Sequence, residues 1–443
     1  MSLNRPFFLD DAAMTSSSKS VASNVSVAHA DPAARVMAWA DALAAHSDHP
    51  EHLTCTYLRS AHRAVAQQLG AWMIEVGFDE VRHDAVGNVI GRYRADREVQ
   101  VPELVATGSH YDTVRNGGRF DGRLGILLPM AVVAALSARG QRLPYDLEVV
   151  GFAEEEGVRY GSTFLGSSAY AGRFDEKMLD STDADGVPMR EAMAKVGLDT
   201  ERISEARADL ARLSHYFEVH IEQGPVLLDR NLPVGVVTAI AGSVRKLVTL
   251  TGQAGHAGTT PMGLRRDAAC AAAKVLLFVE RRSARDAGLV GTVGQLEVPG
   301  GSVNVIPGTC RFSLDIRAAD DVVRDGAVAD IDEAIHEVCT RRNIEVNSKE
   351  VLRAAAAPCA PAQQDAWARA IAAQDIEVLS LPSGAGHDAM MMANVAPVSM
   401  LFVRCGNGGI SHNPLEIVTE EDVGVAARVL EHFLTNGPAA PVR

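Results

Sequence analysis

The sequence predicts an α/β protein in two parts, a mixed-sheet α/β domain interrupted by a smaller α+β insert of ferredoxin-like order. Three observations carry this. Short apolar runs alternate with helical patterns and deliver polar loops at their carboxyl ends, as where Leu104-Val105-Ala106 leads into Gly108-Ser109-His110-Tyr111-Asp112. After Leu232 the order becomes β-β-α-β-β-α-β, which suggests helices on one face of an antiparallel sheet. The last third returns to the earlier style. The expected division is a disordered tail over 1–30, the larger α/β domain over 31–234 and 351–443, and the insert over 235–350.

The elements follow in order. Ala33 to Ala45 and Ala61 to Val76 carry helical spacing of apolar residues. Val81 to Arg94 alternates around Asp84-Ala85-Val86-Gly87-Asn88 and reads as a hairpin. The apolar run Leu124 to Ala138 is too short to span a bilayer and reads as a core helix despite Pro129. Asp146 to Ala153 is a strand that delivers Glu154-Glu155-Glu156. Ala192 to Arg212 reads as a polar helical connection, and Tyr216 to Glu222 as a strand ended by Pro225. In the insert, Val234 to Thr251 suggests two strands and Arg266 to Arg282 a helix. Gly291 to Val298 and Thr309 to Arg317 are further strands, Asp320 to Arg341 a helix, and Ile344 to Leu352 a closing strand. Beyond it come a helix near Trp367, a glycine loop over 383–389, a strand Val398 to Val403 and a final amphipathic helix Asp422 to Leu434.

Composition narrows the function classes. Hydrophobic residues make 47% and charged residues 22% of the 443, a globular balance. The formal net charge of −14, with no long Lys/Arg cluster, argues against nucleic-acid or anionic-membrane partners. Asp10 and Asp11 interrupt any apolar signal core, and the six scattered cysteines suit reduced thiols, so a cytoplasmic location is expected.

Four loops at strand ends then offer His110, Asp121, Glu155 or Glu156, His220 and His412. Each His alone is more often structural than a ligand, and an acidic run is ordinarily a solvated face. Yet Gly151-Phe152-Ala153 before Glu154 and Gly157 after Glu156 argue against an exposed helix here. Mixed imidazole and carboxylate donors suit Zn or Mn, with Co or Ni possible, better than Ca or Mg. There are too many ligands for one tetrahedral ion. Two divalent ions fit better, with Asp121 bridging, His110 and His220 on one ion, and Glu156 and His412 on the other. Asp112 then accepts the second N–H of His110 and fixes its tautomer. Glu155, left over beside a ligand, has the position of a general base for hydrolysis. For Glu154 surface exposure is the default expectation.

The stretches GSHYDTVRNGGRFDGRLG, FAEEEGVRYGSTFLGS, HIEQGP, GHAGTTPMGLRRDA, VNVIPG, LPSGAGHDA and GGISHNP resemble the metal-dependent ureido amidohydrolases. These are the N-carbamoyl-L-amino-acid hydrolases, β-ureidopropionases and allantoate and ureidoglycolate amidohydrolases of the M20 peptidase-like superfamily. The likeness runs from about residue 35 to the C-terminus. It implies the same ligands and base, a lid and dimerisation role for the insert, and a homodimer in which His256 reaches the partner subunit's active site to stabilise an oxyanion. It implies that Asn304 and Arg317 hold a substrate carboxylate and that Gln223 and His387 lie near the substrate. It also implies a cis peptide after Asp121. The implied reaction is hydrolysis of a ureido C–N bond in allantoate or an N-carbamoyl-L-amino acid, within purine or pyrimidine catabolism. The alternatives are an M20-type metallopeptidase or deacylase and a non-catalytic metal-binding homologue.

Overall fold

Leu104–His110 is buried along its whole length, as a strand with parallel neighbours on both sides must be. Asp146–Phe152 pairs with it in parallel on one side and Leu213–Ile221 on the other. Val398–Val403 continues the sheet in parallel beyond Leu213–Ile221. Antiparallel strands complete both flanks, with the hairpin Glu80–His83/Val89–Tyr93 beside Asp146–Phe152 and Val234–Ile240 beside Val398–Val403. The sheet is therefore mixed with a parallel centre. Because the four central strands run one way, their carboxyl ends share one edge, the place where open α/β sheets gather their chemistry.

These features come from a computed structural model that describes residues 31–437. The expected tail over 1–30 lies outside them. The described chain divides into two units. The first runs to Thr238 and resumes over Cys359–Leu381 and from His387; the second comprises Ala239–Pro358 and Pro382–Gly386.

In the first unit the apolar run becomes the helix Leu124–Ala138, almost entirely buried. A helix apolar on every side belongs inside. Pro129 lacks the N–H that would bond one turn back, a modest loss where packing holds the helix on all sides. Pro32–Ala44 and Glu420–Thr435 pack on it, both amphipathic. Trp367 and Phe433 stack at 3.7 Å between ring centroids and close the far side of this core. The connection expected as a helix over Ala192–Arg212 is instead a short helix, Met189–Lys195, and a 3₁₀ turn, Thr200–Ala206. Gly197, at φ +86°, ends the helical run.

The second unit is an antiparallel sheet in the order Leu296–Glu297, Thr309–Ala318, Gly242–Thr251, Glu345–Ala354, with Val290–Thr292 also on Thr309–Ala318. Along Gly242–Thr251 the buried residues alternate: Val244, Lys246, Val248 and Leu250 face in. The helices Ala268–Ser283 and Asp321–Arg342 supply the other half of that core. The strand expected over Gly291–Val298 is broken into two short pieces. None of the described helices is long and apolar enough to cross a membrane.

One core residue makes stability depend on pH. His215 is 2% exposed, beside the rings of Phe217 and Phe433. Burial pushes its imidazole from 6.5 down to about 3. On acidification the unfolded chain protonates His215 first, so stability is lost as pH falls from about 6.5 towards 3, with a limiting slope of about 1.4 kcal/mol per pH unit. Denaturant titrations at several pH values should show His215→Phe with a shallower loss over this window. An identical loss in wild type and variant would remove His215 from the acid response.

Candidate active site and metal centre

The edge of the parallel strands brings together His110, Asp121, His220 and His412. His110 ends its strand, and His220 stands next to the end of Leu213–Ile221. Asp121 lies on the loop between Leu104–His110 and Leu124–Ala138. Asp121 Oδ1 is 3.3 Å from His220 Nε2 and 3.8 Å from His110 Nε2, and its Oδ2 is 3.1 Å from His412 Nε2. His412 Nε2 is also 3.6 Å from Glu156 Oε1. Asp121, His110 and His220 are buried, whereas the His412 side chain is 51% exposed.

Gly122 makes the close approach feasible. It has φ +67°, and a Cβ there would lie 2.5 Å from the His110 ring. The turn runs through this left-handed glycine with no cis peptide among the described residues, so the cis bond expected after Asp121 is absent. Gln223 and His412 are also left-handed, at φ +56° and +54°, uncommon for residues with a Cβ.

Asp112 sets the acidic loop. His110 Nδ1 is 3.3 Å from Asp112 Oδ1. The backbone N–H groups of Glu155 and Glu156 donate to its two carboxylate oxygens at 3.1 and 3.2 Å. His110 Nδ1 also lies 3.2 Å from the Asp112 main-chain carbonyl, so Asp112 as a whole borders the imidazole while its carboxylate holds the turn bearing both glutamates. Glu154 is a correction: it is buried, 1% exposed, with neither carboxylate oxygen hydrogen-bonded. The strand end delivers it inward, and burial, reinforced by Asp112, raises its pKa well above the usual range.

The electrostatics are those of a site crowded with acids. Burial favours a protonated Asp121, but the His412 hydrogen bond and the charges of His220 and His110 outweigh it and hold the carboxyl well below its ordinary range. The Asp121 hydrogen bond raises His412 to about 9. Burial lowers His220 to about 4. Burial raises Glu155 well above its usual value; His110 offsets part of this, while Glu156, Asp388 and Asp112 add to it. Burial brings Glu156 to about 7.

Among the described residues, His110/Asp121/His220 and Asp121/Glu156/His412 each offer donor atoms within 4.8 Å of one another. His110/Glu155/Glu156 and Glu218/His220/His387 do so as well. Glu156 Oε1 is buried with no hydrogen-bond partner, and imidazole with carboxylate is a donor set for transition metals. The residues fit a divalent ion.

The other expected site residues are placed as follows. The Gln223 amide donates to both Asp121 oxygens and to Ser411 Oγ, each at 3.1 Å. His387 is buried with its ring edge-on to His220 at 4.4 Å. In the second unit, His256 is exposed on a short strand paired with Val305–Ile306, and its Nδ1 accepts the Gly258 N–H. Asn304 accepts the Ala257 N–H at its carbonyl. Arg317 donates to both Asp315 oxygens and to the Gly384 carbonyl, and borders a cavity of about 650 Å³ with Arg245 and Ser313.

Residues outside the sequence reading also converge. Buried Glu218 accepts from Ser109 Oγ at 2.7 Å and from the Ala389 N–H at 3.0 Å. Asp388 is buried beside it, and Glu416 accepts from two backbone N–H groups of the Asp121 loop. In the sequence these are single acids, and only the position of Asp388 next to His387 in the 383–389 glycine loop signalled one of them.

Comparison with known proteins agrees with this architecture. The pattern of peptidase family M20/M25/M40 matches residues 106–436, and the chain belongs to that family. It is 40% identical over 372 residues to the N-carbamoyl-L-amino acid amidohydrolase of Geobacillus stearothermophilus, covering 84% of this chain and 90% of the relative. It is 36% identical over 419 residues to the allantoate deiminase of Arabidopsis thaliana, covering 88% and 79%. A hydantoinase/carbamoylase family amidase from Burkholderia multivorans superposes with TM-score 0.85 at 33% identity, covering 91% of this chain and 97% of that one. The chain is a hydrolase acting on non-peptide C–N bonds.

The glycine contact can be tested. Gly122→Ala forces a Cβ against His110 and a strained backbone costing about 1–3 kcal/mol. Zinc or manganese affinity, measured by competition with a chelator, should fall about ten-fold or more. Wild-type affinity in this variant would show that the His110–Gly122 contact does not shape the site.

Proposed function

We propose that the protein hydrolyses the ureido C–N bond of a small carboxylate-bearing substrate, allantoate or an N-carbamoyl-L-amino acid, with two divalent ions. The observation that carries this reading is Asp121, whose two oxygens face three imidazoles while Glu155 lies beside the same cluster. His110, Asp121 and His220 would hold one ion; Asp121, Glu156 and His412 would hold the other. When bound, such ions polarise a carbonyl and acidify water. Zinc or manganese suits the donors.

Glu155 is the base in this reading. It accepts a proton from the attacking water and passes it to the leaving nitrogen, so the carbamoyl group departs as ammonia and carbon dioxide and the amine is freed. Asp112 fixes both the Glu155 backbone and the His110 ring. The second unit is assigned the lid and dimerisation role. There His256 reaches the partner subunit's active site in a homodimer and supports the oxyanion, while Asn304 and Arg317 bind the substrate carboxylate. Arg317 suits this as a planar fork of donors already held by Asp315. Gln223 and His387 are assigned to the substrate-facing wall.

Ammonia release from allantoate, N-carbamoyl-L-amino acids and N-carbamoyl-β-alanine, measured side by side on zinc- or manganese-loaded protein, should show strong preference for one. No release from any of them, with metals bound, would favour cleavage of an ordinary amide. Glu155→Gln should retain metal and lose about 10²–10⁴ in kcat; retained turnover would remove Glu155 as base. Arg317→Ala should raise KM for a carboxylate substrate about ten-fold or more, from the loss of a charged hydrogen-bonding partner, and an unchanged KM would exclude it from the carboxylate site.

A further inference from the structure

The loop carrying Asp121 has little regular structure, yet its carboxylate must face three imidazoles at once. Buried backbone N–H groups in such a loop need acceptors. Those of Phe120 and Asp121 both donate to one atom, Glu416 Oε1, at 3.0 and 3.1 Å. The other oxygen, Oε2, accepts from Ser411 Oγ at 3.0 Å. Ser411 precedes His412, and its hydroxyl also lies 3.3 Å from Asp121 Oδ2. The Glu416 N–H returns to the Asn413 carbonyl at 3.0 Å, which closes the His412 turn on itself. Glu416 is 5% exposed although its neighbour Leu415 is 63% exposed, so the chain turns this side chain inward at an otherwise open loop. A Cβ at Gly118 would fall on the Glu416 carboxyl group, so the Asp121 loop also leaves space for it.

We propose that Glu416 is a positioning residue that sets the spacing between Asp121 and His412 by holding their two loops together through Phe120, Asp121 and Ser411. His412 needs such a device more than the other imidazoles do. His110 and His220 are fixed by buried strands, whereas His412 is half-exposed on a loop with a left-handed backbone. The proposal rests on the reading of Asp121 and His412 as ligands of a shared metal centre.

The test uses the full chain, stripped of metal and then titrated with manganese by calorimetry. Hydrogen exchange of the 115–123 segment is followed in the metal-free state. In Glu416→Ala that segment should exchange faster, and manganese binding should weaken about 10–100-fold, since Asp121 serves both ions and His412 one of them. Glu416→Gln keeps the length and the acceptor for both N–H groups and should retain manganese binding. Glu416→Asp keeps the charge but is one methylene short and should behave like the alanine variant, as should Gly118→Ala, which displaces the carboxyl. If Glu416→Ala does not fold, the Gln/Asp pair decides. Wild-type exchange and affinity in Glu416→Ala, or in Glu416→Asp, overturns the positioning role. A wild-type protein that takes up no manganese or zinc defeats the metal-centre reading instead, and the exchange comparison still judges Glu416.

Discussion

The Asp121 carboxylate sits buried between the imidazoles of His110, His220 and His412, and the rest of the site is arranged to make that position tenable. An ionised carboxylate removed from water costs several kcal/mol unless it is paired and hydrogen-bonded. Here His412 supplies a hydrogen-bonded partner at 3.1 Å, and the Gln223 amide adds donors to both oxygens. The surroundings are the reverse of neutral. Glu154, Glu156, Glu218 and Asp388 are driven towards protonation chiefly by burial, with neighbouring acids adding to it. In a site this crowded with buried acids, a divalent cation is the species that would favour their ionised forms.

The scaffold answers the cost with rigidity. Two of the imidazoles and the acidic turn stand at or next to the carboxyl ends of adjacent parallel strands, where His110 pairs with Phe152 and His220 with Phe402. Asp112 converts that order into side-chain order by accepting the amide hydrogens of Glu155 and Glu156 while bordering His110.

Much of this was legible in the sequence, for a physical reason. Strand and helix patterns register burial, so the runs around Leu104, Asp146 and Val398 located the parallel core, and the chemical types at their ends located the cluster. The insert was legible because its two long central strands, Gly242–Thr251 and Thr309–Ala318, alternate, which a sheet covered by helices on one face requires. The polar stretch Ala192–Arg212 was misjudged because helix-forming composition says little where glycine and turn-forming Asp residues interrupt it. The cis bond was carried over from the family resemblance alone, and a left-handed glycine makes the turn instead.

The acids show where pattern reading stops. Glu154 and Glu416 look alike in sequence, each a carboxylate in a polar stretch whose default place is solvent. Both are buried, for opposite reasons. Glu154 is carried in by the direction of its strand and ends without a hydrogen-bond partner on either oxygen. Glu416 is drawn in by donors that the Asp121 loop supplies, some 295 residues away along the chain. Burial of the first follows from its place just beyond a strand that is buried on both faces. Burial of the second follows from a tertiary debt of unsatisfied N–H groups, which no local pattern records. The residues hardest to read are therefore those that complete another segment's hydrogen bonds, and here such residues surround the one carboxylate that the site is built upon.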